Sequence, residues 1–171
     1  MLISERMTEA FTVQIGNEFQ ASYQYVAIAA YFSAETLPEL SKFFEAQAAE
    51  ERDHALKIMS YVVDGGGKLV LPAVEAPKCD FAGAEEAVQL ALDSELTVSG
   101  QINTLMNLAV EEQDHQAQNF LQWFLAEQRE EVATMDTLLK MVHRAGETGL
   151  LHVEDFLARG GLTSIQQTAP A

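Results

Sequence analysis

The stretch Leu40-Ser41-Lys42-Phe43-Phe44-Glu45-Ala46-Gln47-Ala48-Ala49-Glu50-Glu51-Arg52-Asp53-His54-Ala55-Leu56-Lys57-Ile58-Met59-Ser60-Tyr61 decides the fold. Within an amphipathic segment from Leu37 to Val63, the positions Leu40, Phe44, Gln47, Glu51, His54, Ile58 and Tyr61 recur at spacings of 4, 3, 4, 3, 4 and 3. That is one face of an α-helix. Glu51 and His54 therefore stand one turn apart in the middle of an apolar face. A buried charge without a partner costs on the order of 3–5 kcal/mol, so a carboxylate placed there needs a cation. Glu-x-x-His on one helix face is a ligand pair of dimetal helical bundles. Alone it is weakly specific, and its meaning depends on what the other segments bring.

They bring helices. Upstream, the stripe Phe11, Ile15, Glu18, Ser22, Tyr25, Ala29, Phe32 predicts a first helix over Ser4–Ala34, with Ser4 as N-cap and a single acid, Glu18, facing inward. Thr36-Leu37-Pro38 closes it and opens the second, and so short a link joins only antiparallel neighbours. Gly65-Gly66-Gly67 stops the second helix. The segment Lys68 to Ala82, with Pro72 and Pro77, has no helical period and is long enough to run the length of a bundle, with Leu69-Val70-Leu71 as a short extended piece. A third helix over Ala84–Glu111 carries the stripe Val88, Leu92, Glu95, Val98, Ile102, Leu105, Ala109. A short turn leads to a fourth, from Gln116 to Ala145, with Phe120, Phe124, Gln128, Glu131, Met135, Leu138, Val142 inward. Gly146 and Gly149 break it before a short fifth helix, Leu150–Ala158, whose Leu150, Leu151, Val153, Phe156 and Leu157 are expected to bury against other subunits. Short, long and short connections give an all-α four-helix bundle with one long crossover and a C-terminal fifth helix. Residues 1–160 form that domain, and 161–171 a flexible tail.

Composition narrows the function. The 171 residues include one cysteine, Cys79, and carry a formal net charge of −16. No intrachain disulfide is possible, and a reducing, cytoplasmic setting follows as the expectation. The charge disfavours nucleic acid, which requires clustered Lys and Arg, and favours attraction of cations. The longest apolar run, Val26 to Phe32, is far too short to span a membrane.

The inward acids meet. Counted from each helix start, Glu18, Glu51, Glu95 and Gln128 all lie about 17–21 Å along helices about 40 Å long. They coincide near mid-height whichever way each helix runs. The stripes thus deliver Glu18, Glu51 with His54, Glu95, and Gln128 with Glu131 to one layer, and contain no Lys or Arg to neutralise it. Four carboxylates, one imidazole and one amide suit iron or manganese better than structural zinc. Glu51, being central, would bridge two metals. Glu18 and His54 would complete the first, and Glu95, Gln128 and Glu131 the second, which is weaker because an amide carries no charge. Tyr25 either hydrogen-bonds a ligand, donates an electron or is plain core. Glu50, Glu127 and Glu130 either hold a third, outer metal or form a solvated face. Trp123 reads first as packing, and Glu111, Glu112, Asp114 and His115 as a solvated turn.

With these residues in view, the chain resembles the bacterial non-haem ferritins from Leu2 to Gly160. The matching pieces are Asn17-Glu18, Tyr25, Glu50-Glu51-Arg52-Asp53-His54, Glu95, and Asn119-Phe120-Leu121-Gln122-Trp123-Phe124 followed by Glu127-Gln128-Arg129-Glu130-Glu131. The resemblance implies a ferritin-like cage of 24 subunits that oxidises Fe(II) with O2 or peroxide and stores a ferric oxyhydroxide mineral. It assigns Glu18, Glu51, His54, Glu95, Gln128 and Glu131 to the ferroxidase pair, and Glu50, Glu127 and Glu130 to a third iron position. Haem-containing bacterioferritins place Met after the bridging Glu, where this chain has Arg52, and a second Glu-x-x-His where it has Gln128-x-x-Glu131. No haem is therefore expected. The rivals are a non-catalytic storage or assembly subunit and a di-iron oxygenase acting on an organic substrate.

Overall fold

The computed structural model describes residues 2–162, and among these it is helical with no strand. Four helices follow in order: α1 Glu5–Ala34, α2 Pro38–Asp64, α3 Ala84–Glu111 and α4 His115–Ala158. α1 packs chiefly on α2 and α3 on α4, as the two short connections require. Of the tail expected to be flexible from 161 onward, residues 163–171 lie outside the described residues, while Leu162 is buried in the core instead of lying free.

The helix ends follow the side chains available. Ser4 caps α1 by accepting from the Met7 amide at 3.0 Å, and Asp114 caps α4 by accepting from the amides of Gln116 and Ala117. α2 and α3 begin at Leu37 and Gly83, neither of which makes a side-chain cap. Both caps come from the C-terminal part of α4. Glu154 accepts from the amides of Glu39 and Leu40 at 2.8 Å each, and Glu147 accepts from the Ala84 amide at 3.1 Å. Gly83 permits the second contact, since a Cβ there would lie 2.5 Å from Glu147 Oε1. The two carboxylates are seven residues apart and share a helix face, and each meets the positive end of a helix.

One expectation holds and another is revised. Gly146 (φ 61°, ψ 172°) breaks the helical geometry where the break was expected, so α4 is two helices joined at a kink, the second resuming at once with Gly149 inside it. The arm after the kink, the expected fifth helix, buries its apolar residues within its own chain. Leu150 and Val153 are buried in the bundle core, Phe156 and Leu157 pack against it in part, and only Leu151 is largely exposed. Capping two helix starts holds the arm down on the bundle end.

The crossover from Gly65 to Gly83, which includes Leu69-Val70-Leu71, forms no regular element. It is tied to α1 by two glutamines one turn apart. Gln20 exchanges hydrogen bonds with the backbone N–H and C=O of Glu75 (2.8 and 3.3 Å), and Gln24 does the same with Lys78 (2.9 and 2.8 Å). These bonds satisfy a backbone that has no ladder of its own.

The core divides into two apolar clusters. One holds Tyr25 to Phe32 of α1, Leu40 to Ala48 of α2, Ala84 to Leu92 of α3 and Met135 to Val142 of α4. The other holds Met7 to Ile15, Ala55 to Val62, Val98 to Ala109 and Ala117 to Phe124. On every helix the gap between them falls at the inward acids.

Candidate metal centre

Glu18, Glu51, His54, Glu95, Gln128 and Glu131 are all buried, none more than 3% exposed, and they occupy the gap between the two apolar clusters. All ten Lys and Arg residues are exposed, so no protein cation reaches this layer.

The half of the layer built by α1 and α2 is tight. One ligand atom each from Glu18, Glu51 and His54 lies within 4.8 Å of the others, and His54 Nδ1 is 3.4 Å from Glu51 Oε2. Glu18 Oε2 and Glu51 Oε1 are buried with no hydrogen-bond partner. Such an oxygen forfeits about 1–3 kcal/mol or more of solvation. Burial first, then the neighbouring charge of Glu51, pushes the Glu18 carboxyl well above the usual range. Glu51 is pushed up to about 8 by burial and by Glu95. In the metal-free protein these groups resist ionisation, and a divalent cation would supply what they lack.

The half built by α3 and α4 is more self-satisfied. Glu95 accepts from the Tyr25 hydroxyl through Oε1 and from Gln128 Nε2 through Oε2 at 3.1 Å. Tyr25 also lies 3.3 Å from the Ala91 carbonyl. Gln128 Nε2 further approaches the Glu95 carbonyl and Ser99 Oγ, leaving the amide oxygen as its atom for a metal. Glu131 Oε2 is again buried and unpartnered. Burial and the charge of Glu50, followed by Glu95, push Glu131 up to about 9. Burial also raises Glu95, while Tyr25 and Gln128 restrain it. Tyr25, fully buried beside Glu95, is held well above its ordinary value.

Towards the surface, Glu50, His54 and Glu127 form a second group with ligand atoms within 4.8 Å. They share a cleft of about 580 Å³ with Asp53, Lys57 and Trp123. Glu130 is exposed and stands outside both groups. Trp123 packs edge-on against His54 and carries Lys57 Nζ 3.9 Å above its ring. A cleft of about 640 Å³ beside Lys140, Arg144 and His152 at the α4 kink contains none of these residues.

Two contributors were not singled out from the sequence. Gln14 donates from Nε2 to Glu18 Oε1 at 2.8 Å, and its spacing of four from Glu18 was the visible signal. Gln47 donates to Glu50 at 2.8 Å while its own oxygen is buried and unpartnered. Gln47 lay on the stripe, but nothing local distinguished it from a core amide.

A profile of the ferritin-like domain matches residues 8–145. The chain belongs to the ferritin family. This ferritin is 47% identical over 146 residues to ferritin BfrB of Mycolicibacterium smegmatis, covering 85% of the chain and 80% of that relative. It is 36% identical to a bacterial non-heme ferritin of Staphylococcus aureus, covering 85% of the chain and 88% of the relative. Among solved structures it resembles an open pore ferritin from the archaeon Archaeoglobus fulgidus, with a TM-score of 0.88 and 34% identity over 91% of this chain and 96% of that one. Family and fold support a role in iron storage, and the oxygen-rich layer of this ferritin offers the hard donors that iron takes.

Proposed function

We propose that this ferritin is a ferroxidase as well as a store. Fe(II) is its substrate, O2 or peroxide accepts the electrons, and ferric oxyhydroxide is the product deposited inside a 24-subunit cage. The observation that carries this reading is a set of unpartnered, buried carboxylate oxygens on Glu18, Glu51 and Glu131, gathered with His54 in a layer that no Lys or Arg enters. Such a layer is costly unless it binds cations. Glu18, Glu51 and His54 hold one iron, Glu95, Gln128 and Glu131 the other, and Glu51 faces both.

Carboxylates favour Fe(III) over Fe(II), which eases oxidation, and the product's higher charge draws it towards further acids. Glu50 and Glu127 fit that outward step as a third iron position. They share His54 with the inner group and line a surface cleft. Tyr25 orients Glu95 and adjoins the reacting layer. Arg52 is exposed where the haem-bearing relatives place an axial Met, which supports a protein without haem. Among the described residues no helix is long and apolar enough to cross a membrane, and the net charge of −16 argues against nucleic acid as a partner. Both features suit a cytoplasmic store.

Oxidation of Fe(II) added to metal-free protein, followed by its ferric absorbance with O2 or with peroxide as oxidant, tests the proposal, with Glu51→Ala alongside. Rapid oxidation by one of the two that falls to the buffer rate in the variant is expected. Oxidation that ignores Glu51, or that exceeds the buffer rate with neither oxidant, overturns the ferroxidase assignment and leaves a passive store.

A further inference from the structure

We infer that Gln14 is a positioning residue that fixes which oxygen of Glu18 meets the metal, an inference that rests on Glu18 being a ligand. Gln14 is 2% exposed and one helical turn before Glu18. Its amide is spent on all sides. Nε2 donates to Glu18 Oε1 at 2.8 Å and to Gln101 Oε1, across on α3, at 3.3 Å. Its own oxygen accepts from Asn17 Nδ2 at 3.3 Å.

An ionised Glu18, the state a bound cation requires, fixes the orientation of this amide. Turning it over would set its oxygen against the Glu18 carboxylate, and Gln101 and Asn17 would both have to turn with it. With Glu18 charged, an N–H therefore points at Glu18 Oε1. That donor occupies one oxygen and favours the charged carboxylate, as a cation requires. Glu18 Oε2, buried and without a partner, is the oxygen left for metal. Glu18 is thus a one-oxygen ligand on the Glu51–His54 side. Asn17 and Gln101 line a surface cleft of about 330 Å³ between α1 and α3, so the network runs from the outer wall of the bundle to the buried ligand.

Titration of the metal-free protein with Co(II), followed by its visible absorption, tests this without any oxidation step. Q14M keeps the side-chain length and removes both donors. The equivalent bound by Glu18, Glu51 and His54 should weaken about ten- to a hundred-fold, as for a lost hydrogen bond to a charged group. Its band should change as Glu18 turns both oxygens to the metal, while the other equivalent keeps its affinity. N17A releases only the amide's orientation, should cost a few-fold at the same equivalent, and carries the test if Q14M does not fold. E18Q is the control. If E18Q weakens that equivalent and both Q14M and N17A leave it intact, Gln14 has no positioning role. Equal weakening of both equivalents in Q14M means general loosening and also overturns it. If E18Q leaves both intact, the ligand assignment of Glu18 fails and the role of Gln14 fails with it.

Discussion

The two halves of the buried layer contain similar groups in opposite states. On α1 and α2, Glu18 Oε2 and Glu51 Oε1 receive no hydrogen bond from any other side chain or amide, and only a proton held between the two carboxyls relieves them. On α3 and α4, both oxygens of Glu95 are already taken by Tyr25 and Gln128. A metal joining the first half relieves an existing penalty. A metal joining the second must compete with hydrogen bonds already formed, although Glu131 still offers one free oxygen. Under the proposed ligand assignment, uneven affinity is expected from hydrogen bonding as well as from the missing charge of Gln128, with one position holding its metal and the other exchanging it.

Stability of the metal-free protein should show this contrast most strongly. Glu51→Leu removes an unsatisfied buried oxygen and should stabilise by about 1–3 kcal/mol. Glu95→Leu removes the acceptor shared by Tyr25 and Gln128, leaves them only their longer contacts to Ala91, Ser99 and the backbone carbonyl of residue 95, and should destabilise by about 1 kcal/mol. Denaturant melts in chelator check the sign. If both variants shift the same way, the two halves are energetically alike. Next in size is the response to pH. Glu51 and Glu131 are raised in the folded chain to about 8 and about 9. Above the unfolded carboxyl range near 4.5, the folded protein therefore holds more protons than the unfolded one. The stability these protons confer is full below that range and is lost as pH rises through 8 and 9. Thermal melts in chelator should fall by several degrees between pH 5 and pH 9, and saturating Co(II) should flatten the slope by replacing the protons. A chelated protein whose midpoint rises over this interval would contradict the assignment. The smallest effect lies at the bundle end. Glu154→Gln removes the charge that caps α2 and should cost about 1 kcal/mol, or about 2–4 °C in Tm, with Co(II) stoichiometry unchanged. Loss of a metal equivalent in that variant would show that the halves are not set locally.

Much of this was legible in the sequence because helical period and a rare residue type coincide. An acid inside an apolar stripe is conspicuous, and Glu18, Glu51, Glu95 and Glu131 each interrupt one. The bounds of α3 and the Ser4 cap could likewise be read from local chemistry. What could not be read depends on contacts between distant segments. Glu147 and Glu154 look like solvated acids until the kink at Gly146 swings them over the starts of α3 and α2. The burial of Leu150 and Val153 depends on the same kink, so apolar residues that suggested other subunits instead fill the chain's own core. The state of Glu95 was hidden for the same reason. Tyr25 shared a stripe with Glu18, but its hydroxyl crosses to α3.

The borrowed caps also set an order of completion. Ser4 and Asp114 can secure their helices as soon as those helices form. α2 and α3 begin without such help, and the carboxylates that secure them are made only after the rest of the bundle. On the ribosome, a chain still short of Glu154 would carry all six ligands of the buried layer while one helix start stayed open. Closure of the α2 start is thereby deferred until the arm beyond Gly146 has been made, after the residues of the buried layer.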